Sequence, residues 1–166
     1  MSSFYDMNKR LARAESILNH TFANKRLGLE ALMMDGNRIV EYDNVQMLVE
    51  KNTRLAVHGD RQLAANLSEA WYHTNKEKYS ETVLRHVLTD NEALCRRGKA
   101  LGLDGCIRQN AGRRPDEVSV KSMATTLEAL IGAVHLDVGG GGKGYDAVKK
   151  VMDHLGFFEH EMLTGK

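Results

Sequence analysis

The chain has 166 residues, 42% of them hydrophobic and 27% charged, so it is the size of one ordinary domain with enough apolar content to bury a core. Its 23 basic and 22 acidic side chains leave a formal charge of +1, which excludes a uniformly basic nucleic-acid binder and requires any phosphate contact to come from a local basic face. No apolar run approaches the roughly 18 to 20 residues that span a bilayer, so a membrane protein is excluded as well.

The start, residues 1–15, carries basic residues but no apolar segment, which argues against secretion. Asp6 and Glu15 count against an Arg-rich mitochondrial presequence. The expected location is intracellular, in cytoplasm or nucleus, with the mitochondrion left open. Residues 5–19 place Leu11, Ala14, Ile17 and Leu18 at helical spacing, and Lys25 to Met33 predict a second short helix. Asp35-Gly36-Asn37-Arg38 is turn chemistry. Residues 39–50 are ambiguous, with Ile39, Val40, Val45, Met47, Leu48 and Val49 compatible with a loop followed by a helix start. Leu55 to Tyr72 predicts a helix whose stripe includes Leu63, Leu67 and Trp71. Lys76-Glu77-Lys78 marks a polar connection.

Two further helices are predicted over Ser80 to Thr89 and Asn91 to Leu101, with Asp90 as a cap and Gly102 as a stop. Residues 109–115 form a basic loop. A long helix runs from Ser119 to about Leu136, broken by a tether over Gly139 to Gly142. A phosphate-binding loop there would need a preceding strand and a Lys-Ser/Thr pair, which Lys143-Gly144-Tyr145 does not supply. The last helix, Tyr145 to Leu155, gathers Val148, Val151, Met152 and Leu155 on one face. Cys95 and Cys106 lack metal-ligand spacing and read as buried structural thiols in a reducing compartment. The fold class is all-α.

Chemistry concentrates on two helices. Positions 56 and 60 share one helix face, as do 125 and 128 on another. If those faces meet, Ala56, Asp60, Thr125 and Glu128 converge. Four carboxylates in that arrangement would hold a hard divalent cation such as magnesium, but only Asp60 and Glu128 are acids. Glu128 sits among Leu127, Ala129, Leu130 and Ile131, so burial demands a partner, for which Lys121 is the candidate. Glu50, Asp116 and Glu117 are other acids, with no spacing that places them at the site. His58 reads as a satisfied core or interface histidine, while His86, His135 and His154 stand alone and receive no role. Arg96, Arg97, Lys99, Arg113, Arg114, Lys149 and Lys150 are the basic groups best placed to meet phosphate.

Asn52-Thr53-Arg54-Leu55-Ala56-Val57-His58-Gly59-Asp60 resembles the first signature of the ribonuclease III domain family, Asn-Glu-Arg-Leu-Glu-Phe-Leu-Gly-Asp, with Asn52, Arg54, Leu55, Gly59 and Asp60 matching. The stretch Ser119 to Asp137 resembles the second signature through Lys121, Ala124, Leu127, Glu128, Ala129 to Ala133, Leu136 and Asp137. Thr125 stands where the family has Asp, and Thr53 and Ala56 where it has Glu. Residues 14–32 are similar to its opening helices, and Asp90 to Leu94 with Leu101-Gly102-Leu103 to its middle helix and stop. The resemblance divides the chain into an extension over 1–8, a domain over 9–157 and a tail over 158–166.

The resemblance implies a helical fold dimerised along the first signature helix, with Leu55, Val57, His58 and Leu63 at the seam. It also implies double-stranded RNA as ligand and magnesium as cofactor, with Asp60 and Glu128 as surviving catalytic and metal-ligating residues. With two acids replaced, it implies a protein whose hydrolytic activity is absent or vestigial and which binds or scaffolds structured RNA in RNA processing or a ribonucleoprotein. A weakly active endoribonuclease stays open as an alternative. So does an interaction module that forms a heterodimer with an active relative.

Overall fold

Short polar side chains mark where the helices begin. Asp6 accepts from the Lys9 amide at the head of α1 (Met7–Leu18), and Asn24 accepts from the Arg26 amide at α2 (Lys25–Ala31). Asp90 does the same for α5 (Asn91–Leu101) at 2.7 Å from the Ala93 amide, and Ser119 for α6 (Val120–Asp137) at 3.1 Å from the Ser122 amide. Each cap satisfies an amide that has no partner inside its helix. Gly102 ends α5 with φ +84°, its amide reaching back to the Gly98 and Lys99 carbonyls. The remaining helices are α3 (Thr53–Tyr72), α4 (Lys78–Thr89), α7 (Gly141–His154) and a short α8 (Glu161–Thr164). The computed structural model describes residues 6–109 and 117–165.

The ambiguous residues 39–50 form a hairpin of β1 (Arg38–Tyr42) and β2 (Val45–Val49), paired antiparallel with Ile39 opposite Leu48 and Val40 opposite Met47. Asp43 and Asn44 both have positive φ, 48° and 62°, as the tightest two-residue hairpin turn demands. Asn8 holds that turn against α1, donating to the Asp43 carboxylate at 2.7 Å. Neighbouring apolar residues hid the strand alternation. Val40 and Val49 are buried, whereas Ile39 and Leu48 stand 66% and 57% exposed.

α6 is the centre of the core. From Met123 to Val134 nearly every residue except Thr125 and Glu128 is buried, the pattern of a helix packed on several sides. α2, α3, α5 and α7 all pack on it. The crossing with α3 is exceptionally close. A Cβ on Gly59 would lie 1.7 Å from the Glu128 carbonyl oxygen, and one on Gly132 would lie 2.3 Å from the Leu55 carbonyl oxygen. The two glycines thus admit backbone against backbone, and Leu63 and Leu67 continue the contact into the core.

The glycine run differs from the expected tether. Gly139 and Gly140, with φ +104° and +70°, turn the chain, and Gly141 already opens α7. The helix can start so early because Gly144 sits against the His135 carbonyl oxygen, where a Cβ would come within 2.6 Å. Residues beyond 157 also pack. Phe157 is fully buried under the Arg97 guanidinium, 4.2 Å from its ring centre, and Phe158, Met162 and Leu163 pack partly on the core. Cys95 and Cys106 are buried free thiols, and burial pushes Cys106 up to about 11, which leaves it unreactive. Among the described residues, no helix is long and apolar enough to cross a membrane.

Gly59→Ala and Gly132→Ala each force two backbones apart rather than displacing a flexible side chain. Each is expected to cost about 3 kcal/mol or more in a urea melt, at the upper end of overpacking penalties. A control Gly142→Ala, where a Cβ meets nothing within 4 Å, is expected to be neutral or stabilising.

Candidate functional site

The glycine crossing determines where the acids go. Asp60 follows Gly59, and the Glu128 backbone is what Gly59 touches, so the two carboxyl groups meet and hydrogen-bond to one another. Burial, and then the Asp60 charge, push Glu128 up to about 7. Asp60 remains 42% exposed at its side chain, with Arg61 Nη1 3.5 Å away. Lys121 is exposed and forms no ion pair with Glu128 among the described residues. The expected Lys121 partnership is therefore corrected: the charged group beside Glu128 is Asp60.

The helix spacing leaves Ala56, buried, and Thr125, half-buried, at the other two corners. The donor set is two carboxyl groups, a neutral hydroxyl and a methyl group. It does not fit magnesium, which needs several hard anionic oxygens in octahedral array. No group of three or more His, Cys, Asp or Glu able to hold a metal ion occurs among the described residues. Glu50 is turned to Arg54, 3.6 Å away, and Glu30 lies beside it, where burial and the Glu50 charge raise its pKa. Asn52 fixes the head of α3 beside this region. Wholly buried, it donates to the Ala31 carbonyl at 3.0 Å and lies 3.5 Å from Thr126 Oγ1, tying α2, α3 and α6 together.

His58 and His135 form a pair that spacing alone did not reveal. His58 Nε2 lies 2.9 Å from His135 Nδ1, with the rings edge to face. Burial, then the neighbouring His58, lowers the His135 pKa, while a hydrogen bond with the Gly141 backbone acts the other way. His135 is thus a packed link between α3, α6 and α7. Asp137, quoted above only as part of a motif, accepts from the Ala23 and Asn24 amides and contacts His20 Nε2 at 2.9 Å. Burial opposes its charge, but these donors outweigh that and hold its pKa below the usual range. No signal in the sequence distinguishes that anchoring carboxylate from an exposed one.

The expected seam residues separate into two sets. Leu55 and Leu63 are buried in the chain's own core, so their assignment to a dimer surface is corrected; their stripe faces α6. Val57, one residue further round the helix, is 65% exposed, and His58 is half-buried against His135. The basic residues divide likewise. Arg97 Nη1 donates to the Leu155 carbonyl at 2.7 Å and its guanidinium lies on Phe157, so it is a core tie rather than a free phosphate contact. Arg96 and Lys99 are exposed on α5, and Lys149 and Lys150 on α7. Arg96 lines a groove with Leu88, Ala93 and Leu101, while the two lysines line another with Asp146, Asp153 and Phe158. Arg113, Arg114 and Asp116 lie outside the described residues.

Comparison with known proteins supplies the context for this geometry. Residues 53–139 match the Ribonuclease III domain family. The chain is 30% identical over 148 residues to Ribonuclease 3 of Streptomyces coelicolor, covering 82% of this chain and 50% of that protein. It is 30% identical over 156 residues to Ribonuclease 3 of Syntrophotalea carbinolica, covering 92% and 63%. The chain therefore spans about half to just under two thirds of these curated relatives. Its fold is similar to that of the nuclease domain of Campylobacter jejuni ribonuclease III, with TM-score 0.69, 22% identity, and 89% and 91% of the two chains covered. A second structure of that domain, which concerns structural flexibility in the region involved in dimer formation, matches with TM-score 0.72, 21% identity, and 94% and 99% coverage.

The Asp60–Glu128 pair predicts a pH signature. A carboxyl whose folded pKa of about 7 exceeds its ordinary 4.5 keeps a proton that the unfolded chain has released, so stability is lost as pH rises between those values. The melting temperature is expected to fall from pH 5 to pH 7.5 in the wild type. It should fall less in Glu128→Gln, which should be the more stable of the two at pH 8. Calorimetry across that range checks both.

Proposed function

The chain belongs to the ribonuclease III domain family, and from that premise we propose that it is a catalytically silent member that binds or scaffolds double-stranded RNA. The observation that carries the reading is the composition of the α3–α6 crossing, where Asp60 and Glu128 come together with only a methyl group at Ala56 and a neutral hydroxyl at Thr125 beside them. Ala56 and Thr125 remove two further charges from the same spot. Loss of a transition-state-stabilising contact typically costs on the order of 10²- to 10³-fold in rate, and two such losses leave little hydrolysis.

Binding does not need those acids. A-form duplex is recognised by shape, phosphates and 2′-hydroxyls, and the exposed Arg96, Lys99, Lys149 and Lys150 are the contacts we assign to it. With a net charge of only +1, affinity comes from these local groups and falls steeply with salt. The working unit is a homodimer joined along the outer face of α3, where Val57 is the exposed apolar residue. Its setting is RNA processing or a ribonucleoprotein.

Three outcomes test this. The wild type is expected to shift a labelled duplex in a salt-sensitive manner and to leave it uncut in excess magnesium or manganese. Ala56→Glu combined with Thr125→Asp is expected to restore metal-dependent cleavage; cleavage by the wild type that is lost in Asp60→Ala would overturn the silent-site reading. Val57→Asp is expected to shift the sedimentation profile from dimer to monomer while the melting temperature stays within a few degrees.

A further inference from the structure

α3 ends at Tyr72, and the chain turns through residues 73–77 into α4, whose second residue is Tyr79. These tyrosines are 71% and 76% exposed, more than any other large hydrophobic side chain among the described residues. A ring that could bury well over 100 Å² and instead stands in water is the informative case, and here two occur on one turn. The turn is braced from within. Trp71 Nε1 donates to Ser80 Oγ at 2.9 Å, Thr74 Oγ1 donates to the Trp71 carbonyl at 2.6 Å, and Ser80 Oγ donates to the Glu77 carbonyl at 2.7 Å. The Trp71–Ser80 bond ties together the immediate neighbours of the two tyrosines.

His73 is exposed and packs edge to face against the Tyr72 ring, with centroids 5.6 Å apart. Lys78 and Lys76 are exposed beside them, Lys76 also donating to the Met162 carbonyl, while exposed Glu77 lies between the lysines. The patch is thus strongly aromatic and only weakly basic. That combination suits nucleobases better than a bare phosphate backbone, because base stacking on aromatic rings is tolerant of sequence and needs little charge. It suits single strands better than duplex, whose bases present no free faces. Tyr72 lies twelve residues beyond Asp60 on the same helix, about 18 Å along its axis.

We propose that the α3–α4 turn is a stacking platform for single-stranded RNA. The inference rests on the RNA-binding reading for the identity of its ligand, but not on duplex affinity or on the state of the acid pair. Tyr72 and Tyr79 each offer a ring for a base to stack on, and Lys76 and Lys78 offer charge to the phosphates.

Fluorescence anisotropy with a labelled single-stranded octaribonucleotide and a labelled blunt duplex tests it, using the full chain. The double variant Tyr72→Ala/Tyr79→Ala is expected to bind the single strand at least about tenfold more weakly and the blunt duplex within about threefold of wild type. Tyr72→Phe/Tyr79→Phe, which keeps both rings, is expected to bind both within about threefold. Photocrosslinking of wild type to a 4-thiouridine octamer is expected to mark the peptides that carry Tyr72 and Tyr79, a readout independent of whether the alanine variant folds. No single-strand binding by wild type, unchanged binding by the alanine pair, or crosslinks confined elsewhere would each overturn the proposal. So would a change in oligomeric state in the alanine pair, which would make the patch a protein contact. Failure of duplex binding alone would instead overturn the function proposed above and leave this one standing.

Discussion

The closest constraint in this molecule is the meeting of two glycines. Where α3 crosses α6, Gly59 and Gly132 leave no room for a Cβ, and the Glu128 and Leu55 carbonyls occupy the space that side chains would otherwise take. Such an approach gains dispersion contacts along two backbones, and Leu63, Leu67, Leu127 and Ile131 on the same two helices are all buried. It also fixes, to within a fraction of an ångström, where the residues next to the glycines project. Asp60 and Glu128 meet because their backbones cannot do otherwise.

That enforced meeting brings Asp60 and Glu128 together whatever residues stand at the neighbouring corners. With the corners at 56 and 125 reduced to a methyl and a hydroxyl group, the two remaining acids face each other at close range in a half-buried setting. Burial and the neighbouring Asp60 charge both disfavour the ionised form of Glu128 and push its pKa up to about 7. The glycine crossing is a packing requirement of the fold, since a Cβ at Gly59 or Gly132 would strike the facing backbone. The carboxylates of a metal site have no such protection, since Ala56 and Thr125 fit the same helix faces without strain.

The surroundings of the crossing are braced by polar groups rather than left to apolar packing. Asn52 ties three helices at the head of α3, His135 joins α6 to α3 through His58 and to α7 through Gly141, and Asp137 fastens the entry to α2. These groups make the inner face rigid. What remains for partners is on the outside: Val57 near the start of α3, the Ile39–Leu48 pair on the hairpin, and the tyrosines at the far end of α3.

Much of this was legible in the sequence, and the boundary falls where local information ends. Caps and stops such as Asp90, Ser119 and Gly102 act within one turn of chain, so the helices they delimit could be placed from composition alone. Spacing along a helix put 56 with 60 and 125 with 128, and the signature residues named the family. The hairpin was hidden because Val40 and Val49 face inward while their neighbours Ile39 and Leu48 face out, and adjacent apolar residues carry no period. The start of α7 was hidden because glycine reads as a breaker until something must pack against it, here His135. Lys121 was the nearest charge to Glu128 along the chain, Leu55 and Leu63 had no visible inward neighbour, and Arg97 looked like its neighbour Arg96. Each was decided by what lay opposite in space: Asp60, α6 and Phe157. The sequence by itself determined which acids survived and which helices carry them. Only the tertiary structure decided that Asp60 and burial lift the Glu128 pKa, because that depends on the distance between two backbones far apart in the chain.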